Sequence, residues 1–126
     1  MRAYFLDPAD MRLELRDAPA PQPAPGKLLV RVRATALNRG ELLRHGLTKP
    51  GPARIAGTEG AGEVEETAER VMGRLPASFA EYALMDASDA IPVPANLSWE
   101  EAAAIPITFL VVYDMLVQQG SLQSGE

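Results

Sequence analysis

Two short stretches hold the side chains that could do chemistry. The first, Asn38-Arg39-Gly40-Glu41-Leu42-Leu43-Arg44-His45-Gly46, contains the single histidine of the chain. The second, Ala56-Gly57-Thr58-Glu59-Gly60-Ala61-Gly62-Glu63-Val64, sets glutamates among three glycines. A histidine can exchange a proton near neutral pH. His45 stands in a polar turn between Arg44 and Gly46 with no acidic neighbour to orient it, so it reads as a solvated surface residue. A catalytic zinc ion takes about three ligands from Cys, His and Asp/Glu, and a closed structural site about four; with no cysteine and one histidine, zinc is not expected. The pyrophosphate of a dinucleotide needs glycines spaced GxGxxG where a strand turns into a helix. Gly57, Gly60 and Gly62 lack that order, and the neighbouring glutamates would repel a phosphate. Asn38 is the best candidate: an amide donates and accepts without titrating. Asparagine is also a favoured helix N-cap, and the two roles are compatible.

The elements that must carry these residues are mostly strands. Arg2 to Leu6 and Met11 to Arg16 read as a hairpin around Asp7-Pro8-Ala9-Asp10. Ala18 to Gly26, with four prolines, reads as an extended surface connector. Lys27 to Leu37 alternates, with Leu28, Val30, Val32 and Ala34 on one face and Leu29, Arg31, Arg33 and Thr35 on the other, the pattern of a half-buried strand. Asn38 breaks it and opens one or two helical turns ending at Gly46, and residues 47–56 read as loop. Gly57 to Glu65 is a strand whose glycines imply close backbone approach, a bulge or a barrel corner. Arg70 to Gly73, Ser78 to Met85 and Ile91 to Val93 complete six or seven short strands, the pattern of a sandwich or barrel. Ser98 and Glu101 form a capping box for a helix through Ala104. Pro106 interrupts it, and Ile107 to Gln119 forms a second helix that stops at Gly120.

Composition narrows the classes. The 126 residues are enough for one domain with a core. Hydrophobic residues at 47% and charged residues at 23% give an ordinary globular balance. A net charge of −5 without a basic run argues against nucleic acid. The absence of cysteine excludes a disulfide framework and any thiolate site. Nothing reads as a signal peptide or membrane span, so a cytoplasmic protein is expected.

The succession LNRGELL, IAGTEGAGEV and ERVMGRLPASFAEYALMDASDAIPVPANLSWEEAAAIPITFLVVYDML resembles the N-terminal part of medium-chain dehydrogenase/reductases, and most of all their zinc-free quinone oxidoreductase branch. The resemblance covers nearly the whole chain. It implies a mainly β fold with short helices, a GroES-like and partly open β-barrel, making residues 1–126 a single catalytic, substrate-side domain. In the family a Rossmann domain that binds NADPH follows; this sequence ends before one. In zinc-dependent relatives a cysteine stands near the position of Glu41, and a histidine follows the glycine matched by Gly57, where this chain has Thr58. The counterpart of Asn38 lies beside the nicotinamide and the substrate. Thr108 and Val111 fall in the cofactor-facing run. The family usually has a threonine where this chain has Val111; Thr108 offers a hydroxyl from the same helix face, although threonine near a helix start commonly bonds locally.

The connection at residues 65–70 is shorter than in the family, with Ala68-Glu69 where Gly-Asp is usual. Together with the early end, this implies an excised or engineered domain whose parent chemistry is hydride transfer from NADPH to a quinone or activated alkene, with neither turnover nor NADPH binding expected of this chain alone. The alternative is a non-catalytic assembly module: Phe109, Leu110, Val112 and Leu116, left bare without a Rossmann domain, would favour a homodimer.

Overall fold

The computed structural model describes residues 1–42 and 51–126. The expected helix end at Gly46, and His45 with it, lie outside the described residues.

The described residues form eight strands, all paired antiparallel, in two sheets. Strands β1 (Arg2–Leu6) and β2 (Leu13–Asp17) make the expected hairpin, with Leu6 opposite Leu13. β4 (Arg54–Ile55) adds to β1, giving the order β2-β1-β4. That short strand corrects the loop expected over 47–56: two residues carry too little periodicity to stand out between prolines and glycines. The second sheet is built on β3 (Lys27–Thr35), β5 (Glu59–Val64), β6 (Arg70–Arg74), β7 (Tyr82–Asp86) and β8 (Ile91–Pro92), in the order β7-β3-β5-β6-β8. An isolated bridge between Ala3 and Ala80, with the Tyr4 N–H donating to the Phe79 carbonyl at 2.8 Å, stitches the sheets together. The barrel is therefore partly open, as the resemblance implies.

Alternation in β3 holds: Val30 is fully buried while Arg31 and Arg33 face solvent, paired with Glu65 and Glu63 of the neighbouring strand segment. Val30, Val64, Val71, Leu75, Ala83 and Met85 form one core cluster. Ala61, Met72, Val93, Ala102 and Ala103 form a second, with Trp99 and Ile105 packed against it.

The glycines of β5 act as close-approach residues. A Cβ at Gly60 would come within 2.8 Å of the Ala34 carbonyl oxygen, and one at Gly62 would overlap the Arg31 carbonyl. Across from them the register slips between Val32 and Ala34, a bulge on β3. The connection to β6 closes as a tight turn at Glu65–Thr67, with Ala68 in the left-handed region at φ 58°. Pairing runs unbroken from Glu59–Arg74 to Glu63–Arg70, so the sheet tolerates the short loop.

Three α-helices occur among the described residues. α1 (Arg39–Leu42) begins directly after Asn38. α2 (Trp99–Ala103) carries the full Ser98–Glu101 capping box. α3 (Pro106–Tyr113) has Pro106 in its first turn, so the proline that breaks one helix starts the next, where its missing N–H costs nothing. The helix widens into a π-helical turn, Asp114–Gln119, before Gly120, a change of pitch the sequence pattern does not suggest.

Candidate functional site

The chemistry-bearing residues meet where β3 ends, β5 begins and α3 starts. Asn38 lies just beyond the end of β3 at Thr35 and directly before α1. Its backbone N–H donates to Glu41 Oε2 at 2.7 Å, which is the return half of a capping box from the third helical residue. The spacing Asn38-x-x-Glu41 is the same signal that marks Ser98-x-x-Glu101, and sequence reasoning passes over it. The amide nitrogen of Asn38 donates to Glu59 Oε1 at 2.6 Å, so the side chain turns toward β5.

Glu59 is the residue sequence reasoning misses. It is 1% exposed, and its second oxygen, Oε2, accepts the backbone N–H of Ile107 at 2.7 Å. The Thr35 hydroxyl donates to its carbonyl at 2.6 Å and lies 2.8 Å from Ser78 Oγ. A buried carboxylate is costly unless its oxygens are satisfied. Here both oxygens accept charge-assisted hydrogen bonds, and the N-terminus of α3 adds the favourable end of the helix dipole. The sequence signal is a lone charged residue entering a stretch of alanine and glycine.

One carboxylate thus links Asn38 to the first turn of α3. Thr108 follows Ile107 directly and is exposed; Val111, one turn on, is exposed as well, so the two share a helix face. The positions of Glu41 and Thr58 are also in contact: the Thr58 hydroxyl donates to Glu41 Oε1 at 3.1 Å. A carboxylate and a hydroxyl occupied with each other are a poor donor pair for zinc, and among the described residues no group of three His, Cys, Asp or Glu side chains is placed to hold a metal.

Two cavities open nearby. The larger, about 650 Å³, runs between the β1–β2 hairpin and β3 and is lined by Tyr4, Leu13, Val32, Ala34 and Phe79 among others. The smaller, about 340 Å³, is lined by Leu6, Leu37, Ile55 and Phe79 together with Glu41 and Thr58. The smaller one carries the chemical interest, because polar groups converge on its apolar wall. Beyond it, α3 and the π-helical turn present Phe109, Leu110, Val112, Tyr113, Met115 and Leu116 to solvent, with Phe109 and Met115 61% and 60% exposed. A helix apolar on every side is ordinarily covered.

This architecture is that of an alcohol dehydrogenase GroES-like domain, and residues 24–76 match that family's sequence pattern directly. The relatives it matches place its likeness with the N-terminal part of medium-chain dehydrogenase/reductases. It is 34% identical over 129 residues to a probable zinc-binding mitochondrial oxidoreductase of Arthroderma benhamiae, a match covering 91% of this chain and 39% of that protein. It superposes with a TM-score of 0.83, at 35% identity, on the quinone oxidoreductase of Thermus thermophilus, which has been solved in complex with NADPH; 96% of this chain and 42% of that one are covered. An alcohol dehydrogenase superfamily protein from Novosphingobium aromaticivorans gives a TM-score of 0.89 at 27% identity, covering 100% of this chain and 44% of the other. The chain spans about two fifths of the length of these proteins. Among the described residues no helix is long and apolar enough to cross a membrane.

Proposed function

We propose that this chain is the substrate-side domain of a zinc-free, NADPH-dependent quinone oxidoreductase and that it works against a nucleotide-binding domain seated on α3. The observation that carries the reading is the Glu59 link, which sets Asn38 beside the start of an uncovered apolar helix. The residues fit the nicotinamide end of the cofactor: an amide able to pair with a carboxamide, and Thr108 and Val111 on an open helix face. They do not fit its pyrophosphate, since Gly60 and Gly62 are taken up by packing against β3. When bound, NADPH supplies the hydride for a quinone or an activated alkene. Asn38 orients the ring, the helix face excludes water from it, and the small cavity beside Glu41 and Thr58 receives the acceptor. The contact between Glu41 and Thr58 supports the zinc-free branch.

Alone, the chain is expected to have no turnover, because the phosphate and adenine ends of the cofactor have no seat among the described residues. The test is to titrate the purified chain with NADPH and then add a matching nucleotide-binding domain. Restored quinone-dependent NADPH oxidation supports the proposal, and failure by a correctly folded pair rejects it. A second reading, self-assembly into a homodimer through α3, is favoured by the same exposed helix. A cytoplasmic location fits this chemistry.

A further inference from the structure

The cofactor reading uses the buried carboxylate as a link between Asn38 and α3 but assigns it no contact with cofactor or acceptor. Glu59 receives hydrogen bonds from three separate segments: Thr35 at the end of β3, Asn38 before α1, and Ile107 in the first turn of α3. Helix α3 has no cap of its own. Ile105 stands at the cap position without a capping side chain, and Pro106 has no N–H. The N–H of Ile107 is therefore the first that α3 offers, and it goes to Glu59 rather than to a neighbour in sequence. The acceptor must serve two N–H donors with two oxygens, which a carboxylate does without rearrangement.

We infer that Glu59 is a positioning residue for the cofactor face. Its carboxylate fixes the direction of the Asn38 amide and the start of α3 together, and through the latter the placement of Thr108 and Val111. The ligand part of this inference rests on the cofactor reading above; the alignment part rests on the hydrogen bonds alone. A glutamine can replace Glu59 only if Asn38 turns its amide over, accepting from the glutamine nitrogen while the glutamine oxygen keeps Ile107.

The test is amide hydrogen exchange on the 126-residue chain, read at Ile107, alongside NADPH titration of the chain with a nucleotide-binding domain added. In E59L exchange at Ile107 should quicken about tenfold or more, while the β3–β7 ladder keeps its protection. E59Q should stay within about threefold of the wild type, because the turned amide preserves both contacts. Wild-type protection at Ile107 in E59L overturns the inference. Should E59L fail to fold, N38D and N38D/E59Q decide. N38D opposes two carboxylates and should both expose Ile107 and weaken NADPH binding by the chain paired with a nucleotide-binding domain about tenfold. The double variant moves the carboxylate to the other side of the same contact and should restore both; no restoration overturns the inference. A wild-type chain that binds no NADPH once the nucleotide-binding domain is added removes the cofactor reading alone, and exchange at Ile107 still decides whether Glu59 aligns the two segments.

Discussion

Thr58 donates its hydroxyl to Glu41 across a gap of 17 residues in sequence, while the other oxygen of Glu41 holds the backbone of Asn38. One side chain therefore caps α1 and ties it to the entrance of β5. Glu41→Ala leaves both donors without this partner and should cost about 1–2 kcal/mol, and Thr58→Val, which removes one of the two bonds, about 1 kcal/mol. Chemical denaturation measures both; equal losses would contradict the double role of Glu41.

The turn after β5 holds Ala68 at φ 58°, a conformation in which an L-residue is strained and glycine is not. Ala68→Gly is expected to stabilise the chain by about 0.5–1 kcal/mol. The opposite change in the strand, Gly62→Ala, drives a Cβ into the Arg31 carbonyl and Val30 Cγ1 and should destabilise by at least about 1–3 kcal/mol. Thermal unfolding of the two variants should move in opposite directions.

Acid should loosen the seam between the sheets. The Glu81 carboxylate accepts the Arg2 backbone N–H at 2.8 Å and pairs with its guanidinium; these hydrogen bonds, the backbone one foremost, hold it below the usual carboxylate range. A depressed folded-state value means the stabilisation is present at neutral pH and is lost as pH falls through that value. The effect is small because the pair is exposed. Unfolding midpoints followed from neutral to acid pH should fall less steeply in Glu81→Gln than in the wild type; parallel curves would rule out this contribution.

The uncovered helix makes a prediction about association. Phe109 and Leu116 lie two turns apart on α3 and the turn that follows it, both facing solvent. If copies pair through this face, sedimentation coefficients should rise with concentration in the wild type and stay constant in Phe109→Glu/Leu116→Glu. A wild type that remains monomeric throughout would leave the face to a nucleotide-binding partner.

Capping contributes locally. Ser98 accepts the Glu101 N–H at 3.1 Å, and the Glu101 side chain accepts the Ser98 N–H at 2.8 Å. Ser98→Ala should cost about 1 kcal/mol, read by denaturation, with little change at the Asn38–Glu59 site.

The strands, the capping box at Ser98 and the meaning of the glycines at 60 and 62 are legible in the sequence, because each depends on neighbours within a few residues or on a period of two. Even there the reading stops short. The same cap spacing at Asn38–Glu41 is hidden beside the stronger interest of the asparagine, and β4 is too brief for any pattern to register. Asn38 stands out in the sequence by its residue type and its place after β3, but its bond to Glu59 spans 21 residues, and the bond from Glu59 to Ile107 spans 48. No periodicity couples such distant positions. By itself the sequence determined which segments become strands, where helices start, and that close approach of the backbone occurs at β5. Only the tertiary structure decided that Glu59 turns inward. Its carboxylate can be buried there because folding brings an amide and an uncapped helix start to its two oxygens, and those donors do not exist as partners until the sheets and α3 have packed.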